Sequence, residues 1–211
     1  MRIKFIGHSC FLIENSGVKI ITDPFDESIP YKFPEKEEVD IVTVSHEHSD
    51  HNATHRVKVR KEILRHPVDK TIDGVKFLSK SFFHDEEGGR RRGKNSIFLI
   101  EGENLKLVHL GDLGHIPDEK ETEIFKNPDI LMIPVGGYFT IDSNKADKVI
   151  SILNPKVIIP MHYKTGKLDY PISTLDDFLK NKGNVHRLET FEVEIDKSNI
   201  DNYKGIIVFP L

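Results

Sequence analysis

At 211 residues the chain can bury one sizeable core but is short for two, so residues 1–211 are read as a single domain. A net charge of −4 and a pI near 6.3 give no electrostatic basis for a nucleic-acid partner, and no stretch approaches the roughly 20 apolar residues of a membrane span. Cys10 stands alone, which excludes an intrachain disulfide and a cysteine-based zinc site. The first residues alternate like a strand and do not read as a signal peptide, so the expected location is the cytoplasm.

In chain order, residues 2–6, 10–14 and 18–22 read as a strand meander with a turn at Asn15-Ser16-Gly17. Asp23-Pro24 ends the third strand, and residues 25–38 form a proline-bearing loop. Residues 40–44 are short and β-branched, the pattern of a buried strand. Residues 57–64 are ambiguous, whereas residues 71–78 read as a strand pair turning at Asp73-Gly74. A charged, glycine-rich loop at 85–94 precedes a hairpin of residues 96–101 and 105–110. The second half brings helices: a short one at 119–126, a better one at 143–153 capped by Ser143 or Asn144, and a third at 174–182. Strands at 129–134, 156–160, 185–188, 191–195 and 205–209 complete the reading. Strand-rich with interspersed helices implies sheets inside and helices outside.

The most informative segment is Ser45-His46-Glu47-His48-Ser49-Asp50-His51, directly behind the buried strand. Imidazole and carboxylate are ligands that zinc and similar divalent ions accept. In an extended segment His46 and His48 point to one side, and Asp50 and His51 can face the same volume after a turn. It is not a zincin helix, because Asp50 stands where the second histidine is required. The pattern suggests two adjacent metal sites. Further ligands must come from other strand ends: His84 after Ser81-Phe82-Phe83, Asp112 after Leu107-Val108-His109-Leu110-Gly111, and His162 after Val157-Ile158-Ile159-Pro160-Met161.

These motifs resemble the metallo-β-lactamase-fold hydrolases, most closely the L-ascorbate 6-phosphate lactonase-like branch. The resemblance rests on Gly7-His8-Ser9-Cys10-Phe11-Leu12-Ile13-Glu14, Thr22-Asp23-Pro24, the 45–51 run and Phe83-His84-Asp85. It continues through His109-Leu110-Gly111-Asp112-Leu113-Gly114, Pro134-Val135-Gly136-Gly137 and Ile159-Pro160-Met161-His162-Tyr163. It implies an α/β (α+β) fold: a four-layer αββα sandwich of two mostly antiparallel mixed sheets, with a dinuclear centre at one edge. Carried over by position, His46, His48 and His84 hold one ion, Asp50, His51 and His162 hold the other, and Asp112 bridges them. His109 competes with His84, which is favoured because it lies where its strand opens out. The expected cofactors are two divalent ions, zinc first, with manganese or iron as alternatives. Two such ions roughly 3.5–4 Å apart lower the pKa of a shared water, making a hydroxide for attack on a carbonyl or phosphoryl centre. Asp50, His8 and Asp112 are the expected catalytic residues. His8 is expected to line the pocket, and Asp23 to support a ligand or simply to end its strand.

Residues 88–95 nearly spell a phosphate-binding loop, but Asn95 replaces the magnesium-binding hydroxyl and a strand follows where a helix is needed. Arg90, Arg91 and Arg92 are candidates to grip an anionic substrate. His115, Thr140, Asp142 and Tyr163 are further pocket candidates. The expected partner is a small molecule, either phosphorylated or a lactone, acted on by a metal-dependent hydrolase, with nucleic acid disfavoured and a homo-oligomer left open. A phosphodiesterase or nuclease, and a non-catalytic metal-binding or redox protein, are the competing readings.

Overall fold

A computed structural model describes residues 1–34 and 37–210. Two sheets pack face to face. The first contains β1 (Arg2–Gly7), β2 (Cys10–Asn15), β3 (Val18–Thr22), β4 (Glu38–Val44), β5 (Lys58–Arg65) and the late strand β13 (Glu192–Glu194), in the order β13-β1-β2-β3-β4-β5. The second contains β6 (Asp69–Ile72), β7 (Val75–Phe83), β8 (Lys94–Gly102), β9 (Leu105–His109), β10 (Ile130–Pro134), β11 (Val157–Met161), β12 (Val185–Arg187) and β14 (Gly205–Val208). Its order is β12-β14-β11-β10-β9-β8-β7-β6.

Alternation builds the interior. In β1, Ile3 and Phe5 turn inward while Arg2 and Lys4 face solvent. Ile3, Phe5, Phe11, Ile13 and Ile20 meet Phe77, Phe98, Leu107, Met132 and Ile159 in one buried cluster between the sheets. Helices α1 (Ser143–Leu153) and α2 (Leu175–Leu179) cover the outer face of the second sheet through Ala146, Val149, Leu153, Leu175 and Phe178. The outer face of the first sheet is covered by loop residues Phe25, Ile29, Phe33, Leu168 and Ile172. The two-sheet sandwich is the expected fold class. Its strand pairings are evenly divided between parallel and antiparallel, because four successive pairings from β9 to β12 and the two that join β3, β4 and β5 run parallel.

Local differences have physical causes. The ambiguous segment 57–64 is β5, a parallel edge strand half exposed on both faces, which blurs its alternation. The helix expected at 119–126 is only a 3₁₀ turn, Glu123–Phe125, with Phe125 as its one buried anchor. Helix α1 is capped by Asp142, whose carboxylate accepts from Lys145 N, one position before the expected caps. Helix α2 starts in a capping box between Thr174 and Asp177 and stops at Leu179. Among the described residues no helix is long and apolar enough to cross a membrane.

Candidate metal centre

The carboxyl ends of β1, β3, β4, β7, β9 and β11 converge on one edge of the sandwich. A register shift between Phe5 and Gly7 re-aims the end of β1 and delivers His8. Hydrogen bonds join the sheets at this edge: His162 N donates to His8 O (3.2 Å), and Ser96 N to Ser45 O (2.8 Å). His8, Asp23 and His162 have φ of 56°, 40° and 53°, a conformation that L side chains adopt at a cost of about 1–3 kcal/mol each. Two glycines permit the remaining approaches. A Cβ on Gly114 would lie 2.2 Å from the His84 carbonyl carbon, and one on Gly136 would lie 2.2 Å from His162 O.

Three overlapping groups of nitrogen and oxygen donors result: His46, His48 and His84; His8, Asp50, His51 and His162; and His46, His51 and Asp112. Within each, donor atoms lie within 4.8 Å of one another. Asp112 sits between the groups. Its Oδ2 is 3.3 Å from His84 Nε2, 3.2 Å from His162 Nε2 and 3.9 Å from His46 Nε2, while Oδ1 is 3.3 Å from His51 Nε2. Asp50 Oδ2 is 3.8 Å from His51 Nε2 and 3.5 Å from His8 Nε2. His48 is exposed and Asp50 half-buried, so this corner faces solvent, whereas His8, His46, His51, His84, Asp112 and His162 are buried.

Buried neighbours fix the ring orientations. Asp23 accepts from Ser45 N (2.7 Å), Ser45 Oγ (2.6 Å) and His51 Nδ1 (3.0 Å). Because Ser45 Oγ donates to Asp23, its lone pairs accept from His46 Nδ1 at 2.9 Å. One carboxylate therefore orients both rings, accepting the Nδ1–H of His51 directly and fixing that of His46 through Ser45 Oγ, and turns both Nε2 atoms to the centre, the arrangement that supports metal-binding histidines. Asn95 fixes the turn that carries Asp112: its Oδ1 accepts from Asp112 N and its Nδ2 donates to Leu110 O, both at 2.8 Å. His109 is occupied at both nitrogens, with Nε2–H on Ser9 O (2.9 Å) and Nδ1 accepting from Gly111 N (3.2 Å).

Electrostatics match a cation-binding role. Burial, reinforced by His162, lowers the pKa of His8 to about 4, and burial with His51 lowers that of His46 to about 3. Both rings are thus neutral, the form that coordinates metals. Burial also opposes a charge on His51, but Asp112, Asp50 and Asp23 overrule it and hold its pKa well above the ordinary value. Burial likewise disfavours the Asp112 carboxylate, yet His162 and His51 keep it ionised; His51 and His8 do so for Asp50. Both nitrogens of His8, Nε2 of His46 and His51, Nδ1 of His84 and His162, and Oδ1 of Asp112 are buried without a hydrogen-bond partner. Of these, Nε2 of His46 and His51 and Oδ1 of Asp112 belong to one donor group, where a divalent cation would satisfy several atoms at once that otherwise cost about 1–3 kcal/mol each. The donor set fits zinc, manganese or iron, and the lone thiol, Cys10, belongs to an apolar cluster.

The other candidates fall elsewhere. A cavity of about 210 Å³ over the centre is lined by His48, Asp50, His84, Arg92, Asp112, Phe139, His162 and Tyr170. Of the three arginines only Arg92 reaches it. Thr140 and Asp142 line an adjoining polar cavity, and Asp142 also caps α1. His115 hydrogen-bonds Phe83 O through Nδ1, and Tyr163 is buried in the apolar cluster beneath the second sheet, so neither lines the centre. The near-phosphate loop is closed by its own anion. The Asp85 carboxylate accepts from the backbone N–H of Glu87, Gly89, Arg91 and Arg92 (2.8–2.9 Å), and although burial opposes its charge these bonds lower its pKa to about 2. Ser45, Asn95, Phe139 and Tyr170 were not expected at the centre, because no spacing signal marks a contact made between distant segments.

The chain is similar over most of its length to proteins of one kind. Residues 2–162 match a family model described as the beta-lactamase superfamily domain. A UPF0173 metal-dependent hydrolase from Nanoarchaeum equitans is 30% identical, over 93% of this chain and 98% of its own, and one from Caldivirga maquilingensis is 28% identical over 77% and 82%. A crystal structure of a candidate zinc-dependent hydrolase of the metallo-beta-lactamase superfamily from Thermotoga maritima is 38% identical. It covers 99% of this chain and 97% of its own, with a TM-score of 0.84. A likeness of that extent, in sequence and in fold, places the chain in the metallo-β-lactamase superfamily, among relatives named as metal-dependent hydrolases.

Proposed function

We propose that the centre holds two divalent ions and hydrolyses a small substrate. The observation carrying this reading is the position of Asp112, whose two oxygens lie within 3.3 Å of His84, His162 and His51, members of the other two donor groups. On this reading His46, His48 and His84 hold one ion, Asp50, His51 and His162 the other, and Asp112 both. Zinc is the first choice, with manganese or iron compatible with the same donors. Bound divalent ions supply Lewis acidity and bring the pKa of water towards neutrality. Asp50, ionised and partly exposed at the cavity mouth, orients the incoming water by accepting a hydrogen bond from it. His8, neutral and 3.5 Å from Asp50, lines the same corner of the centre. No Ser, Cys or Lys nucleophile is required.

A cavity of about 210 Å³ lies below the roughly 300–1,000 Å³ of drug-sized pockets, which supports a small metabolite. A lactone or phosphorylated compound suits the resemblance to lactonase-like hydrolases. The test is a screen of lactones, phosphodiesters and thioesters against zinc- and manganese-loaded protein, before and after chelation. Turnover lost on chelation and in Asp50→Asn is the expected result. No turnover on any class by protein shown to hold two ions would contradict hydrolysis.

A further inference from the structure

Of the three consecutive arginines, two are occupied. Arg91 pairs with Glu87 at 2.7 Å and Arg90 Nε donates to Glu87 O at 3.1 Å. Arg92 differs: among the described residues its side chain has no carboxylate or carbonyl partner, and it is half-buried. Its guanidinium lies over the rings of Phe139 (5.3 Å) and Tyr138 (5.9 Å). Phe139 in turn contacts Tyr170 and His162, so this aromatic shelf continues into the cavity that holds His48, His84 and Asp112.

We propose that Arg92 is the anion-recognition residue of this site, so that the substrate carries an oxyanion, a carboxylate or phosphate, apart from the bond that is cut. The inference deepens the hydrolase reading and rests on it for the word substrate. A guanidinium laid on aromatic rings keeps its N–H donors free in the plane of the fork, the geometry that takes an oxyanion by two parallel hydrogen bonds. The side chain is also pre-positioned. Arg92 N–H is one of the four bonds to Asp85, and His84 N donates to Gly93 O at 3.0 Å, so the loop is tied to a predicted metal ligand on one side and to its own buried carboxylate on the other. A second cavity, of about 350 Å³, lies on the other side of Arg92 and is lined by His46, His48, Arg65 and Lys94. Arg65 there pairs with Glu47 at 3.0 Å, which leaves Lys94 to add positive potential beside Arg92.

The test is calorimetric titration of zinc-loaded protein with inorganic phosphate and, separately, acetate. Arg92→Ala is expected to weaken oxyanion binding about tenfold to a hundredfold. Arg92→Lys should recover only part of the loss, because an ammonium cannot make the bidentate contact. Arg91→Ala should match wild type. Tighter phosphate than acetate assigns a phosphate, and the reverse order a carboxylate; either supports the proposal. Equal affinity in Arg92→Ala and wild type, or an equal loss in Arg91→Ala, overturns it. If wild-type protein takes up none of zinc, manganese and iron, the hydrolase reading fails, and the same variants are then compared with phosphate in metal-free protein.

Discussion

Replacing Asp23 by Asn removes one charge and one acceptor oxygen while conserving volume, and Asn tolerates the φ of 40° at this position. The native carboxylate accepts three hydrogen bonds, from Ser45 N, Ser45 Oγ and His51 Nδ1, at 2.6–3.0 Å. An amide has a single oxygen, so in either orientation its NH₂ faces a donor. If it faces His51, the ring escapes by moving its proton to Nε2, which removes the lone pair aimed at the centre. If it faces Ser45 N–H, the start of the 45–51 loop shifts and carries His46 with it through Ser45 Oγ. Losing one hydrogen bond to a charged group costs about 1.5–3 kcal/mol, in line with the 10–100-fold falls in metal affinity seen when such supporting residues are changed. Asp23→Asn is therefore expected to bind zinc about 10–100-fold more weakly, roughly 1.4–2.8 kcal/mol. Competition with a chromophoric chelator near neutral pH measures this, and circular dichroism checks that the variant is folded. A folded Asp23→Asn protein with wild-type zinc affinity would refute the tautomer argument.

His84→Ala is expected to lose zinc, whereas His109→Gln keeps its stoichiometry, because His109 is occupied by Ser9 O and Gly111 N; metal analysis of the two variants separates them, and the opposite result would exchange their roles. Zinc uptake near neutral pH should release a proton from His51, which its carboxylate neighbours hold protonated and which coordinates only when neutral. Calorimetry in buffers of differing ionisation enthalpy reads that proton, and zinc affinity should fall as pH falls. Asp85→Asn should lower stability by about 2 kcal/mol and speed hydrogen exchange at residues 87–92. Because the folded pKa of Asp85 is depressed to about 2, its contribution is complete above its unfolded value of 3.8 and is lost as pH falls through about 2. Acid unfolding of the Asn variant should lack that component.

The histidine run was legible as a candidate site because contiguous His and Asp residues follow a β-branched buried strand, so residue type and position agree without tertiary information. His84, Asp112 and His162 were legible as strand-end residues, and the structure draws them together. Asp23 shows the limit: the sequence marks it as an Asp-Pro strand terminator or a support residue, and it is both, with its φ of 40° ending β3 while its oxygens hold His51 directly and His46 through Ser45. Ser45 and Asn95 stayed hidden because their roles lie in contacts with Asp23 and with the turn at Asp112, which no periodicity encodes. The arginine triplet gave the charge but not the direction. Only the fold of the 85–93 loop around Asp85 tells Arg92 from its neighbours. β5 was ambiguous because an edge strand with charges on both faces loses the period of two.

The central claim, two ions joined by one carboxylate, is tested most directly by zinc titration and elemental analysis of wild-type protein beside Asp112→Ala. Two equivalents per chain in wild type, and loss of both in Asp112→Ala, is the predicted result. A single equivalent in wild type, or two retained in Asp112→Ala, would contradict it.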